Sequence, residues 1–424
     1  MRAGSFTVDR RPLAIPAFRR LWLASVVTAV GGSFSLIAIP TQLFTITGSS
    51  ATIGVSAIVT FAALTVSALW CGALADRMDR RRLLLFGQCG LAGTYLLLWA
   101  QAAVGLESVA VLMVLIGFQG MSYGATMATM GAAVPRVVPG DLLAAANSLS
   151  SLVRYLGAVV GPLLAGGLLP LTGLGSLYLF DSVALAAVIW AVWRLPSIEP
   201  PPRAATRTSA GATVREIADG LRYLWSRPIL VGVLGIDLAA MVFGLPVALF
   251  PELAERTFGG PPGGGAVLGL LYAAYPAGVV LAGLLSGTFT RARRHGVMLA
   301  GAALAWGVTV VALGVAPGVA VAVAALVAGG AVNFVLSTFR NTITQAHSDD
   351  ALRGRVQGTL TVVLLGGPQA SVLAHGLLSA AVGPRWTIVA GGLLTVATVA
   401  LIACRVPSLW RYTVRSPVVE RQPA

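Results

Sequence analysis

Two aspartates stand inside long apolar stretches of this 424-residue sequence, where an ionisable side chain is costly and usually functional. Asp237 lies near the middle of the apolar run 228–253, with no other charge close to it. Asp181 lies nearer the start of the apolar run 174–194. Because desolvation disfavours a charged carboxylate, either group could take up and release a proton or bind a cation. We predict both as coupling residues and rank Asp237 first.

Each aspartate also has a structural interpretation. Asp237 could be held in an ion pair with Arg154 or Arg340, which lie in other apolar runs. Asp181 could stabilise the start of a helix, where the backbone dipole is positive. The sequence leaves both alternatives open.

Further polar and aromatic side chains in the apolar runs could line a ligand cavity. An arginine there could receive an anionic group of a ligand, and an amide could exchange hydrogen bonds with it. The predicted cavity residues are Arg154, Arg340, Asn333, Gln119, Gln369, Phe34 and Tyr123. A lone polar residue in such a run more often bonds a neighbouring helix, and an aromatic residue is more often simply packed.

Metal and nucleotide chemistry find no support in the residue spacing. The three histidines and three cysteines are scattered without metal-ligand spacing, and no phosphate-binding glycine loop is present. We therefore expect no metal, no cofactor and no enzyme activity.

The apolar runs themselves are membrane-spanning helices. Hydrophobic residues make up 57% of the chain, charged residues 10%, and the mean hydropathy is +0.85. Since about 20 apolar residues cross a bilayer as a helix, the pattern predicts an all-α polytopic membrane protein with twelve spans. The predicted spans are 20–46, 51–75, 83–104, 108–134, 141–169, 174–194, 228–253, 265–290, 296–316, 318–346, 353–382 and 385–405.

The basic residues, all arginine, give the orientation. They cluster in alternate connections, and only Arg256 and Arg385 fall on the opposite side. The positive-inside rule places both termini and the 196–227 linker in the cytoplasm of a bacterial-type cell. This distribution also argues against nucleic acid as the partner of a chain with net charge +14. The partners we expect are the lipid bilayer, a small molecule and protons, and we expect a monomer.

The sequence contains an internal repeat. Residues 38–44 are echoed by 244–250, and residues 72–80 by 283–291, with glycine or proline at matching places. Two parallel six-helix bundles follow. The predicted division is a cytoplasmic segment 1–19, a bundle 20–195, a linker 196–227, a bundle 228–405 and a tail 406–424.

These motifs resemble those of the major facilitator superfamily, in its enterobactin-exporter-like and drug:proton antiporter branch. The resemblance rests on the connection Gly72–Arg82, on Pro135 with Asp141–Leu149, and on Asp350–Val356. It covers nearly the whole chain. It implies the major facilitator fold, a small-molecule substrate and transport by two rocking halves.

Two sets of site residues follow from the resemblance. A cytoplasmic gate would consist of Gly72, Asp76, Arg80 and Arg353, with Gly72 allowing close approach and Asp76 facing a helix start. The arginines of this loop could instead anchor it to anionic headgroups. A helix-packing motif shared by exporters would consist of Gly157, Gly161, Pro162 and Gly166.

The sequence departs from the family pattern at two coupling positions. Ile116 stands where many proton-coupled relatives have arginine, and Gly31-Gly32-Ser33 stands where relatives of this branch often have an acid. Proton exchange would therefore rest mainly on Asp237. We expect a secondary active exporter of a small, partly apolar compound, drug-like or siderophore-like. The alternatives are an uptake symporter or uniporter of the same fold, or a non-transporting membrane sensor.

Overall fold

The computed structural model describes residues 10–75, 78–139, 142–194, 222, 224–290, 292–347, 353–410 and 412–413. The predicted linker 196–227 lies mostly outside these residues. So do Asp76, the first part of the segment 1–19 and most of the tail 406–424.

Long helices dominate the described part of the chain. They are α1 (Pro16–Gly31), α2 (Phe34–Thr47), α3 (Ser50–Ala75), α4 (Arg80–Ala103), α5 (Val109–Val137), α6 (Leu143–Trp193), α7 (Pro228–Gly244), α8 (Gly265–Leu284), α9 (His295–Gly314), α10 (Val319–Ala346), α11 (Arg353–Val382) and α12 (Pro384–Arg405). A short helix, Pro407–Trp410, follows. We call the end of each span near the predicted cytoplasmic segments the arginine-rich side and the other end the arginine-poor side.

Twelve membrane spans result from these helices. Among the described residues, eleven stretches are long and apolar enough to cross a bilayer, and one of them, Ala145–Trp193, has 49 residues. That stretch turns at Gly173, whose φ of 77° lies in the left-handed region that glycine adopts readily. It therefore supplies spans five and six, and the predicted all-α fold with twelve spans is confirmed.

The first span is broken, although one helix over 20–46 was expected. Helix α1 ends at Gly31, and α2 begins at Phe34 after Gly32 and Ser33. Glycine costs about 1 kcal/mol in a helix interior, and a serine hydroxyl competes for backbone hydrogen bonds. The continuous apolar pattern hid this break near the middle of the membrane.

Span seven also ends earlier than expected. Helix α7 stops at Gly244 instead of reaching 253, because Pro246 has no backbone N–H to continue it. Short helical turns then carry the chain to a five-residue π-helix, Leu253–Thr257. Helix α8 likewise ends at Leu284 rather than at 290.

The packing of the spans repeats after six. Helix α3 packs on α5 as α8 packs on α10, and α4 packs on α6 as α9 packs on α12. The two halves of the molecule meet where α6 contacts α8 and where α3 contacts α11. Two six-helix bundles related by this repeat therefore enclose the space between them.

Candidate functional site

Glycines bring the two halves together on the arginine-poor side. A Cβ added at Gly269 of α8 would lie 2.6 Å from the Pro162 carbonyl oxygen of α6. A Cβ added at Gly376 of α11 would lie 2.6 Å from the Ser50 carbonyl oxygen of α3. Neither helix pair could approach as closely with a larger residue at these positions, so backbone contact closes this side.

A polar latch joins the halves at the same end. Glu252, after span seven, accepts a hydrogen bond from the Ser50 hydroxyl at 2.6 Å and forms an ion pair with Arg256 at 3.4 Å. Arg256 also donates to the Gly48 carbonyl oxygen at 3.1 Å, and its guanidinium lies 4.9 Å from the centre of the Phe44 ring. We call these five residues the Glu252 latch. It ties the turn after span one to the segment after span seven.

Below the latch, a cavity of about 320 Å³ lies between the halves. Ser35 and Gln119 reach it from the first half, and Tyr272 and Gln369 from the second, among mostly aliphatic side chains. The Ser35 Oγ and Tyr272 Oη atoms are buried and make no hydrogen bond of standard geometry in the described part of the chain. Because an unsatisfied buried hydroxyl costs about 1–3 kcal/mol, these groups are suited to a ligand.

Asp181 sits at the break in the first span. Its side chain is fully buried, and one carboxylate oxygen accepts a hydrogen bond from the Ser35 backbone N–H at 2.6 Å, in the first turn of α2. The second oxygen makes no hydrogen bond of standard geometry within the described part of the chain, although the Phe34 backbone N–H and the Ser35 hydroxyl lie near the carboxylate. Asp181 thus meets a helix start, that of α2 rather than of its own helix. It also occupies the region where the first span lacks an acid.

Asp237 is paired with Arg340. One guanidinium nitrogen of Arg340 lies 2.8 Å and 3.0 Å from the two carboxylate oxygens of Asp237, and the pair is buried. The guanidinium also donates to the Asn341 side-chain oxygen at 3.2 Å. Of the two partners considered for Asp237, the structure selects Arg340. Neither member of the pair lines the central cavity.

The other predicted cavity residues are spread more widely. Asn333 accepts a hydrogen bond from Tyr275 at 2.9 Å, outside the cavity. Phe34 is buried and packs edge to face against Phe180, with ring centres 6.0 Å apart. Tyr123 is 47% exposed.

Arg154 is also exposed. Its guanidinium donates to Ser151 at 3.3 Å and lies over the Tyr155 ring. Of the seven predicted cavity residues, Gln119 and Gln369 line the cavity.

The predicted cytoplasmic gate is described only in part. Asp76 lies outside the described residues, and of Arg353 the structure describes the position at the start of α11 but not the side chain. Arg80 begins α4. The close approach expected at Gly72 is not made within the described part of the chain, because no described heavy atom lies within 4 Å of an added Cβ.

The predicted helix-packing motif faces two neighbours. A Cβ at Gly157 would collide with Ala29 of α1, and one at Gly161 with Ser33 at the break. One at Gly166 would lie 2.7 Å from the Gly265 carbonyl oxygen of the second half. Two different faces of α6 are therefore used: Gly157 and Gly161 pack against the broken span, while Gly166 and the Pro162 carbonyl make the contact between the halves.

The sequence reasoning missed most of the polar network around these residues. Gln119 donates to Tyr95 at 3.2 Å, and Gln42 accepts from Gln101 and Tyr178 at 3.0 Å and 2.8 Å. A single amide or tyrosine in an apolar helix gives no sign of its partner. For the latch a signal existed, since Glu252 and Arg256 stand four residues apart on an otherwise arginine-poor side.

Comparison with known proteins gives the family. The sequence profile of the transmembrane secretion effectors, a family of the major facilitator superfamily, matches residues 7–418. The enterobactin exporter EntS of Shigella flexneri is 26% identical over 379 residues, which cover 89% of this chain and 88% of that protein. EntS of Escherichia coli O9:H4 (strain HS) matches with the same identity and coverage.

Solved transporter structures share the fold. A bacterial homologue of the human lysosomal transporter Spinster, in an inward-facing and unoccupied conformation, has a TM-score of 0.70 at 15% identity and covers 96% of this chain and 100% of its own. A D-xylose-proton symporter has a TM-score of 0.68 at 14% identity, with 94% and 99% covered. The predicted resemblance is confirmed, and a transporter rather than an enzyme is indicated. The chain belongs to the transmembrane secretion effector family of the major facilitator superfamily.

Proposed function

We propose that this transporter exports a small, partly apolar, siderophore-like compound in exchange for protons, by alternating access of its two halves. The observation that carries the proposal is a cavity of about 320 Å³ between the halves, beneath a closed arginine-poor side. The family profile and the relatives named as enterobactin exporters support export as the direction.

The orientation follows from the arginine clusters. With the arginine-rich side in the cytoplasm of a bacterial-type cell, both termini and the 196–227 linker are cytoplasmic. The closed side with the Glu252 latch is then the outer side, and the substrate loads from the cytoplasm. In the opposite state the latch opens, and Gly72, Asp76, Arg80 and Arg353 close the cytoplasmic side.

The chemistry of the cavity supports a substrate with both apolar and polar groups. Aliphatic walls gain from burying apolar surface, while two amides and two unsatisfied hydroxyls offer hydrogen bonds. A siderophore-like molecule that combines apolar and hydrogen-bonding groups matches this mixture. A monomer contains the complete cavity.

Asp181 is the better candidate for the exchanged proton. One of its carboxylate oxygens makes no hydrogen bond of standard geometry among the described residues, and Ser35, whose backbone N–H bonds the other, lines the cavity. Protonation of Asp181 would be sensitive to a ligand that contacts Ser35. Asp237, by contrast, is matched by a full positive charge on Arg340 and serves better as a structural pair.

The test is enterobactin uptake into proteoliposomes with an acidic interior, in which protons leaving the vesicle drive the substrate in. The wild type should accumulate enterobactin until an ionophore removes the gradient. Asp181→Asn should lose the accumulation but keep downhill flux, since an amide cannot exchange a proton. The double variant Asp237→Asn with Arg340→Gln, which removes the pair without leaving a buried charge, should keep accumulation.

Other results would reject parts of the proposal. Uptake driven only by an acidic exterior would indicate a symporter, and flux indifferent to either gradient a uniporter. Accumulation that survives Asp181→Asn but is lost in the double variant would return the coupling role to Asp237.

A further inference from the structure

A second cavity, of about 500 Å³, lies away from the space between the halves. It is a cleft between α3, α4 and α5 within the first bundle, and it opens at the surface of that bundle. Trp70 and Phe86 flank it and are 76% and 75% exposed, while Gly90 and Ser122 form part of its floor. The central cavity shares none of its lining residues.

The floor of the cleft exists because Gly90 has no side chain. A Cβ at Gly90 would lie 2.7 Å from the Ser122 hydroxyl, so the two helices touch there and leave the groove above them open. Phe86, Gly90 and Thr94 follow one another at four-residue spacing along one side of α4. These three residues therefore line the cleft continuously along the axis of α4.

One end of this row is positively charged. Arg82, one turn before Phe86, is exposed at the arginine-rich end of α4. From Arg82 to Thr94 the helix rises about 18 Å, slightly more than the roughly 15 Å depth of one leaflet's hydrocarbon layer. An apolar groove of leaflet depth with a cation at the interface matches the shape and charge of an anionic phospholipid.

We propose that this cleft is a binding site for an anionic phospholipid of the leaflet on the arginine-rich side. One acyl chain lies along Phe86, Gly90 and Thr94 against Trp70, and Arg82 binds the headgroup phosphate. The site is independent of the substrate cavity and of the direction of transport.

The test uses native mass spectrometry of the full-length protein in detergent with equal amounts of phosphatidylglycerol and phosphatidylcholine. The wild-type protein should retain one phosphatidylglycerol molecule in preference to phosphatidylcholine. Arg82→Gln should lower this preference about fivefold, the value for one interfacial arginine. Gly90→Leu, which fills the groove, should retain neither lipid.

Matched controls separate the site from general effects. Arg19→Gln removes another exposed arginine at the start of α1, and Gly93→Leu adds the same side chain at an exposed position of α4 with nothing within 4 Å. Both should bind lipid as the wild type does. Retention by Gly90→Leu equal to that of Gly93→Leu would overturn the proposal.

A second measurement avoids variants that disturb packing. Phosphatidylglycerol with brominated acyl chains should quench tryptophan fluorescence more than brominated phosphatidylcholine does, and Trp70→Phe should remove this excess. Equal quenching by both lipids would refute the headgroup preference. If Gly90→Leu keeps its lipid but loses enterobactin flux, the cleft is a substrate path and the lipid assignment is wrong.

Discussion

Tyr272 and Tyr275 lie on one helix, yet their hydroxyls have different surroundings. The Tyr272 hydroxyl faces the cavity without a partner among the described residues, whereas that of Tyr275 donates to Asn333. A buried hydroxyl with no internal partner destabilises the fold, and a ligand that exchanges a hydrogen bond with it would relieve that cost.

Removing each hydroxyl in turn tests this difference. Tyr272→Phe should weaken enterobactin binding about two- to tenfold without lowering the apparent Tm, because the only hydrogen bond lost is to the ligand. Tyr275→Phe should lower the stability by about 1 kcal/mol and leave binding unchanged. Binding by tryptophan quenching and thermal unfolding in detergent would measure both. Equal behaviour of the two variants would contradict the cavity assignment.

The sequence identified which residues could carry chemistry better than it identified their contacts. Asp237 and Asp181 stood out because charge is rare in apolar runs, and Arg340 was one of two partners considered for Asp237. The partner of Asp181 could not be predicted, because it is a backbone N–H exposed only by the break at Gly32 and Ser33. In the sequence, Phe34 and Gln119 were equally good candidates for the cavity. The structure shows that Phe34 is packed in the core, whereas Gln119 lines the cavity.

Among the elements, α6 and α8 depend on each other through glycine. The Cβ position of Gly269 lies 2.6 Å from the Pro162 carbonyl oxygen and 3.1 Å from the Gly166 Cα atom. These are backbone atoms, which cannot move aside as a side chain can.

Gly269→Val should therefore force the two helices apart at a cost of about 1–3 kcal/mol, the range for overpacking. Gly301→Val is the matched control, since Gly301 lies inside α9 with nothing described within 4 Å. Gly301→Val makes the same change in helix propensity as Gly269→Val, but its added Cβ meets no described atom of a neighbouring helix. Thermal unfolding should show the larger loss for Gly269→Val. An equal loss in both variants would mean that this contact does not depend on glycine.

Sequence reasoning placed most spans within a few residues, because a run of about 20 apolar residues is a physical requirement of the bilayer. It failed where backbone geometry changes inside an apolar run. Neither the break after Gly31 nor the early end of α7 at Gly244 alters hydropathy, so neither could be seen in composition.

In the described part of the chain, the close glycine contacts of α6 with α8 and of α3 with α11 both lie on the arginine-poor side. Glu252 is buried at that end and receives hydrogen bonds from Ser50 and Arg256. A charge-assisted hydrogen bond contributes about 1.5–3 kcal/mol, enough to set the balance between two states of a transporter.

Glu252→Gln should shift the population toward opening of the arginine-poor side about tenfold, since a neutral amide accepts a weaker hydrogen bond from Ser50 across the halves and no longer orients Arg256 toward Gly48. Spin labels on cysteines placed at Val104 and Val315, exposed at that side in the two halves, would report the distance. Glu107→Gln removes the same charge from an exposed loop on that side and should leave the distances unchanged. If both variants gave wild-type distances, the latch would not hold the closed state.

The repeat in the sequence predicted the two bundles, and the spans of the two halves pack in the same order, although the matched prolines differ in role: Pro40 lies inside α2, whereas Pro246 follows the end of α7. It could not predict which side is closed. That depends on contacts such as Ser50 with Glu252, between residues about 200 positions apart.

The turn at Gly173 has a consequence for the synthesis of the protein. Spans five and six form one apolar stretch of 49 residues, Ala145–Trp193, with a single left-handed glycine at the turn and no polar loop between them. The insertion machinery has no hydrophilic segment to translocate after span five. We expect both spans to enter the bilayer together as a helical hairpin.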